Sequence, residues 1–174
     1  MTRRPAKRKP GTAALRRIRL VVLDVDGVLS DGRIIYDGSG TEFKIFDVRD
    51  GYGIRKAEAR GLRFALISGR SSKAVTHRAR ELGIAEVHQG VKDKLKVFRS
   101  LLSKYRLGPD EACCVGDDEP DLPILLEAGF SAAPRGAAPA VKKAVHYVTA
   151  AEGGRGAVRE ILDLIPGGRP RDGR

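Results

Sequence analysis

Residues 20–29 read LVVLDVDGVL. An apolar run leads into Asp24, a second acid follows at Asp26, and Gly27 frees the backbone to turn away. Ile18–Leu23 is apolar and β-branched, the pattern of a strand buried on both faces of a parallel sheet. Carboxylates at the end of such a strand are costly beside an apolar core unless a metal, a basic side chain or a catalytic role accompanies them.

The segments that follow fit that strand into a repeating plan. Residues 33–46, RIIYDGSGTEFKIF, predict two short strands joined at Asp37-Gly38-Ser39-Gly40, a hairpin projecting over the end of the first strand. Residues 47–61 predict a helix capped by Asp50 and stopped at Gly61, and Leu62–Ile67 a second buried strand. Ser68-Gly69-Arg70-Ser71 breaks that run, and Ser71 or Ser72 caps a helix ending at Gly83. A short strand at Glu86–His88 precedes a helix that sets Leu95, Phe98, Leu101 and Leu102 on one face. Glu111–Val115 is the next strand, Gly116–Asp121 an acidic turn, and Leu122–Ala128 a helix. Phe130–Ala133 and Val145–Val148 complete the strands, and Ala157–Ile165 is the last helix. This alternation predicts a doubly wound, Rossmann-like α/β domain with a mostly parallel sheet over residues 18–165. Ligands in such sheets bind beyond the carboxyl ends of the strands.

Composition narrows the function. The 174 residues suit one domain, no apolar run reaches membrane-spanning length, and the N-terminus lacks a secretory apolar region, so a soluble cytoplasmic protein is expected. Cys113 and Cys114 lie together in an apolar run, as buried thiols of a reducing compartment rather than a disulfide or zinc framework. The net charge of +11 is concentrated at the ends. Residues 1–19 hold eight Lys or Arg and no acid, residues 166–174 three Arg and one Asp, and the stretch between them 22 basic and 21 acidic side chains. Residues 1–17 and 166–174 are therefore expected to be disordered tails, touching nucleic acid only weakly and through their charge.

Four strand exits carry chemistry: Asp24 with Asp26; Ser68; Lys94, just past the His88 strand; and the run Asp117, Asp118 and Asp121. Carboxylates gathered on one rim with an amine and a hydroxyl suit a hard divalent cation such as Mg2+ and an anionic, phosphorylated substrate. Asp24 would attack phosphorus, Asp26 would pass the proton, and Ser68 would donate to a phosphoryl oxygen. A calcium loop is the competing reading of Asp24-x-Asp26-Gly27, but its twelfth position, which requires Glu, is Ile35. The three histidines show no paired metal spacing.

DVDGV (24–28), the strand ending in Ser68, Lys94 and GDDEPD (116–121) resemble, in order and placement, the four motifs of the haloacid dehalogenase-like phosphatases. KIFDVRDGYGIR (44–55), LISGRSS (66–72), QGVKDKL (89–95) and EGGRGAVREILDLI (152–165) extend the resemblance to the family's small, capless branch. The resemblance implies that Asp24 is the nucleophile and a magnesium ligand. It implies that Asp26 is the general acid/base and gives the metal its backbone carbonyl, and that Asp117 is the third ligand, supported by Asp118 and Asp121. Ser68 and Lys94 would bind the phosphoryl group. Asp47, Val48, Arg49, Asp50, Gly51, Arg55, Arg70 and Arg78 would contact the rest of the substrate. It further implies a homotetramer assembled through the hairpin, residues 33–46, so that a neighbour roofs each site in place of a cap domain, with Gly153–Arg159 approaching a site. The implied substrate is a phosphorylated sugar acid: 3-deoxy-D-manno-octulosonate 8-phosphate of lipopolysaccharide biosynthesis, or alternatively an N-acylneuraminate 9-phosphate. Glu119-Pro120 departs from the family's mostly apolar pair, and the extra carboxylate is expected to bear on metal affinity or on the helix entry.

Overall fold

The computed structural model describes residues 10–166. Residues 1–9 and 167–174, where most of both expected tails falls, lie outside the described residues. Within residues 10–17 the chain departs from a tail: Thr12–Leu15 (α1) makes one helical turn, and the buried Leu15 joins the core. An apolar side chain seated under the sheet outweighs the polar composition around it.

The main sheet comprises β1 (Leu20–Leu23), β4 (Arg63–Ile67), β5 (Glu86–His88), β6 (Ala112–Val115), β7 (Phe130–Ala133) and β8 (Tyr147–Val148), in the order β5-β4-β1-β6-β7-β8. Every pairing in it is parallel. β1 lies at the centre with all four residues buried, as its continuous apolar run requires. Val21, Leu23, Leu66, Cys113 and Val115 face one core layer, while Leu20, Val22, Ala65, Ile67 and Cys114 face the other.

Helices cover both faces. α2 (Val48–Glu58), α3 (Lys73–Leu82) and α7 (Ala157–Leu164) pack Ile54, Val75, Leu82, Val158 and Ile161 into the first layer. α4 (Lys94–Tyr105), α5 (Leu122–Glu127) and α6 (Pro139–Ala144) pack Phe98, Leu101, Ile124, Leu125 and Val141 into the second. Like α1, α6 is absent from the sequence reading; it is a six-residue helix entered through Pro139 and too short to show a periodicity of its own.

β2 (Ile35–Tyr36) and β3 (Glu42–Phe43) form a separate antiparallel hairpin, and no cap domain is present among the described residues. Asp37 organises its turn by accepting from the backbone N–H groups of Ser39 and Thr41, both at 2.8 Å. Two caps differ from expectation. Asp47, not Asp50, caps α2, accepting from the Arg49 N–H at 2.7 Å, because Asp50 is drawn inward to α7. Ser72 is the N-cap of α3, but its side chain makes no capping hydrogen bond.

Candidate active site

The register of the sheet sets the site. Leu23 stands level with Leu66 on one side and Val115 on the other, so Asp24, Ser68 and the 116–121 turn emerge on one edge. Lys94 joins them from the first turn of α4, capped by Asp93 through the Lys96 N–H. Asp24, Asp26, Ser68, Arg70, Lys94, Asp117, Asp118 and Asp121 all line one cavity of about 270 Å³.

Lys94, only 6% exposed, sits between two buried carboxylates, 3.1 Å from Asp24 Oδ1 and 2.6 Å from Asp121 Oδ1. Burial alone would lower its pKa, but Asp24 and Asp121 outweigh that and hold it above the ordinary lysine value. Asp121 has both oxygens engaged: Oδ1 by Lys94, and Oδ2 by the backbone N–H groups of Asp117 at 3.0 Å and Asp118 at 3.3 Å. It therefore holds the turn and the lysine in place. Asp24 is pushed up to about 6, by burial first and then by Asp121, with Lys94 opposing. Asp117 is pushed up to about 7 by burial and by the charges of Asp24, Asp121 and Asp118.

Carboxylate oxygens of Asp24, Asp117 and Asp121 lie within 4.8 Å of one another, and one ammonium cannot balance three negative charges. The surplus, on hard oxygen donors, fits a divalent cation of the magnesium class. Gly27, at φ 83°, is required here, because a side chain at that position would collide with the Asp117 carboxylate. Ser68 is buried on the cavity wall, its Oγ accepting from the Arg70 N–H at 3.2 Å. Asp118 caps the Glu119–Asp121 turn by accepting from the Glu119 N–H at 2.8 Å. Pro120 joins the cavity wall, whereas Glu119 is exposed and is not among the lining residues.

The remaining residues named from the sequence do not line this cavity. Asp47 pairs with Arg49 at 2.6 Å, Arg49 also donates to the Arg155 carbonyl at 2.8 Å, and Val48 is exposed. Asp50 is buried and accepts from the N–H groups of Gly156 at 3.2 Å and Arg159 at 2.8 Å, fastening the start of α7 to α2. Gly51 leaves room for the Arg78 guanidinium, which donates to the Asp47 carbonyl at 3.5 Å and lies over the Phe46 ring. Arg55 pairs with Glu58 at 2.7 Å. Gly153 and Gly154 pack on the Gly27–Ser30 turn, with the Gly154 N–H donating to the Val28 carbonyl at 2.9 Å.

Sequence reasoning missed the hairpin's own contribution. Lys44 Nζ lies 2.5 Å from Asp26 Oδ1, and Arg70 is held by Glu42 at 3.1 Å and the Tyr36 hydroxyl at 3.3 Å. The alternation of residues 42–46 carried the signal: Glu42, Lys44 and Phe46 share the more buried face, and Phe43 and Ile45 the exposed one.

A family profile described as haloacid dehalogenase-like hydrolase matches residues 83–161. The 3-deoxy-D-manno-octulosonate 8-phosphate phosphatase KdsC of Escherichia coli K12 is 46% identical over 153 residues, covering 88% of this chain and 81% of the relative. The chain belongs to the haloacid dehalogenase-like hydrolases. Solved structures of the family agree with its fold. The 3-deoxy-D-manno-octulosonate 8-phosphate phosphatase of Moraxella catarrhalis, solved in complex with magnesium ion, phosphate ion and KDO, superposes with a TM-score of 0.86 at 42% identity, covering 88% of each chain. The cobalt-bound deoxy-D-mannose-octulosonate 8-phosphate phosphatase of Haemophilus influenzae gives a TM-score of 0.84 at 38% identity, covering 87% of this chain and 89% of the other. Asp24 and Asp26 stand just beyond the end of the central strand β1.

Proposed function

We propose that this chain is a magnesium-dependent phosphomonoesterase that hydrolyses 3-deoxy-D-manno-octulosonate 8-phosphate to the free sugar acid and phosphate, in the pathway to lipopolysaccharide. The observation that carries the reading is the meeting of Asp24, Lys94 and Asp117 in one cavity, in a chain 46% identical to a phosphatase of that name. Asp24 and Asp117, with the backbone carbonyl of Asp26, would hold the metal, and Asp121 would orient them. When bound, magnesium offsets the repulsion between the carboxylates and the phosphate and polarises a phosphoryl oxygen.

The protein's own groups supply the rest. Lys94 and the Ser68 hydroxyl bind phosphoryl oxygens and place phosphorus against Asp24. A carboxylate oxygen of Asp24 forms a bond to phosphorus as the bond to the sugar oxygen breaks, and Asp26 protonates that oxygen. Asp26 then takes a proton from water as the water oxygen displaces Asp24 from the aspartyl phosphate. Purified protein with magnesium is expected to release phosphate from 3-deoxy-D-manno-octulosonate 8-phosphate faster than from an N-acylneuraminate 9-phosphate. The reverse order would move the assignment to the second sugar.

The reading extends to a homotetramer with shared sites. Ile34, Ile35, Tyr36, Phe43, Ile45, Val48 and Tyr52 are large apolar residues exposed together on the hairpin and the start of α2, a concentration that favours burial by another copy. Arg55, Arg78 and the loop Asp47–Gly51 lie away from their own cavity and would serve a neighbour's, contacting the sugar acid beyond its phosphate. The buried thiols of Cys113 and Cys114 favour a reducing, cytoplasmic setting. No helix among the described residues is long and apolar enough to cross a membrane. Residues 18–165 are read as the catalytic domain. A fully active monomer in sedimentation and assay would refute the shared site.

A further inference from the structure

Lys44 lies on an otherwise exposed hairpin, yet its side chain is 1% exposed. Its Nζ is 2.5 Å from Asp26 Oδ1 and 3.2 Å from Glu42 Oε1. The Ser30 hydroxyl, with one proton to donate, lies 3.4 Å from the same Oδ1 and 3.4 Å from the Val25 carbonyl. Asp26 lines the cavity, and its other oxygen, Oδ2, has Arg70 Nε at 3.7 Å as its ion-pair partner. Removing an ammonium from water is costly unless its partners are well placed, and a lysine on a hairpin can reach solvent by changing rotamer. Lys44 instead points inward, held by one acid on the same hairpin and one on the turn after β1.

We propose that Lys44 is a positioning residue for proton transfer at Asp26. Resting on the phosphatase reading above, the assignment is that Lys44 and Ser30 occupy Oδ1, fix the carboxyl rotamer and reserve Oδ2 for the proton. In the first half-reaction the Oδ2–H bond breaks and its proton goes to the sugar oxygen, which receives the electron pair of the breaking P–O bond. In the second, Oδ2 takes a proton from water while the water oxygen bonds to phosphorus and the bond from phosphorus to the Asp24 oxygen breaks. Glu42 keeps Lys44 aimed by pairing with its other side and ties Arg70 to the same hairpin.

The test compares wild type, Lys44→Met, Lys44→Arg and Asp26→Asn on an alkyl phosphate and on p-nitrophenyl phosphate, whose leaving group needs no proton. Lys44→Met is expected to lower kcat on the alkyl phosphate by about 10–100-fold, less than Asp26→Asn, with KM little changed and partial rescue in Lys44→Arg. Rapid mixing of Lys44→Met with p-nitrophenyl phosphate should give a burst of p-nitrophenolate followed by slow turnover, because only the second half-reaction still needs Asp26. Equal slowing of both substrates without a burst, or an unchanged kcat, would overturn the assignment. The comparison is read on whichever alkyl phosphate wild type turns over, so an error in the sugar leaves it intact. Full activity in Asp26→Asn would overturn the Asp26 role and the Lys44 assignment with it, while leaving the substrate standing.

Discussion

The exit of β1 and the β2–β3 hairpin lie against one another, yet they are built on opposite principles. At the exit, each functional group follows a buried strand or opens a helix whose neighbours are fixed by sheet register. The hairpin has two strands of two residues each, with Ile35, Phe43 and Ile45 exposed and Lys44 buried against the site. A two-stranded ribbon of that size is marginal by itself. The chemistry is anchored in a self-sufficient scaffold, and the element that covers it depends on what it touches.

The sharpest way to break that contrast is Asp24→Asn. Phosphate release is expected to fall at least about 10³-fold, roughly 4 kcal/mol in the barrier, while the fold persists in circular dichroism. Leu23→Ala, one residue earlier, should cost about 2–5 kcal/mol of stability in urea unfolding, because its side chain is fully buried. Phe43→Glu on the hairpin should leave unfolding of the isolated chain nearly unchanged. If the proposed tetramer buries that face, the substitution should nonetheless lower activity about tenfold and shift sedimentation toward monomer.

A smaller effect separates the two regions by pH. Without metal, Asp24 and Asp117 are raised from 3.8 to about 6 and about 7, so the folded chain binds their protons more tightly than the unfolded chain. Their contribution to stability is full below about pH 4 and is lost as pH rises through 6–7. Thermal unfolding of metal-free protein should therefore show a lower Tm at pH 8 than at pH 5 from these groups. Magnesium should raise Tm more at pH 8, and Asp117→Asn should flatten the difference.

The same contrast governs what the sequence made legible. Strand exits could be read because an apolar run ending in Asp, Ser or an acidic turn is a local pattern, and parallel alternation puts such ends on one edge. The role of Asp50 could not be read locally. Asp47 and Asp50 both suit an N-cap, and the choice is made by the N–H groups of Gly156 and Arg159, more than a hundred residues away along the chain. Lys44 was hidden for a related reason: alternation shows that Phe43 and Ile45 share a face, but not that the opposite face meets Asp26. The exposed face is equally silent, since alternation does not say what, if anything, covers it.

The most direct test of the central claim is acid quenching of the enzyme during turnover of 3-deoxy-D-manno-octulosonate 8-phosphate with magnesium, followed by peptide mass spectrometry. The account predicts a phosphoryl adduct on the Asp24 peptide, absent in Asp24→Asn. An adduct on another residue, or undiminished turnover by Asp24→Asn, would contradict it.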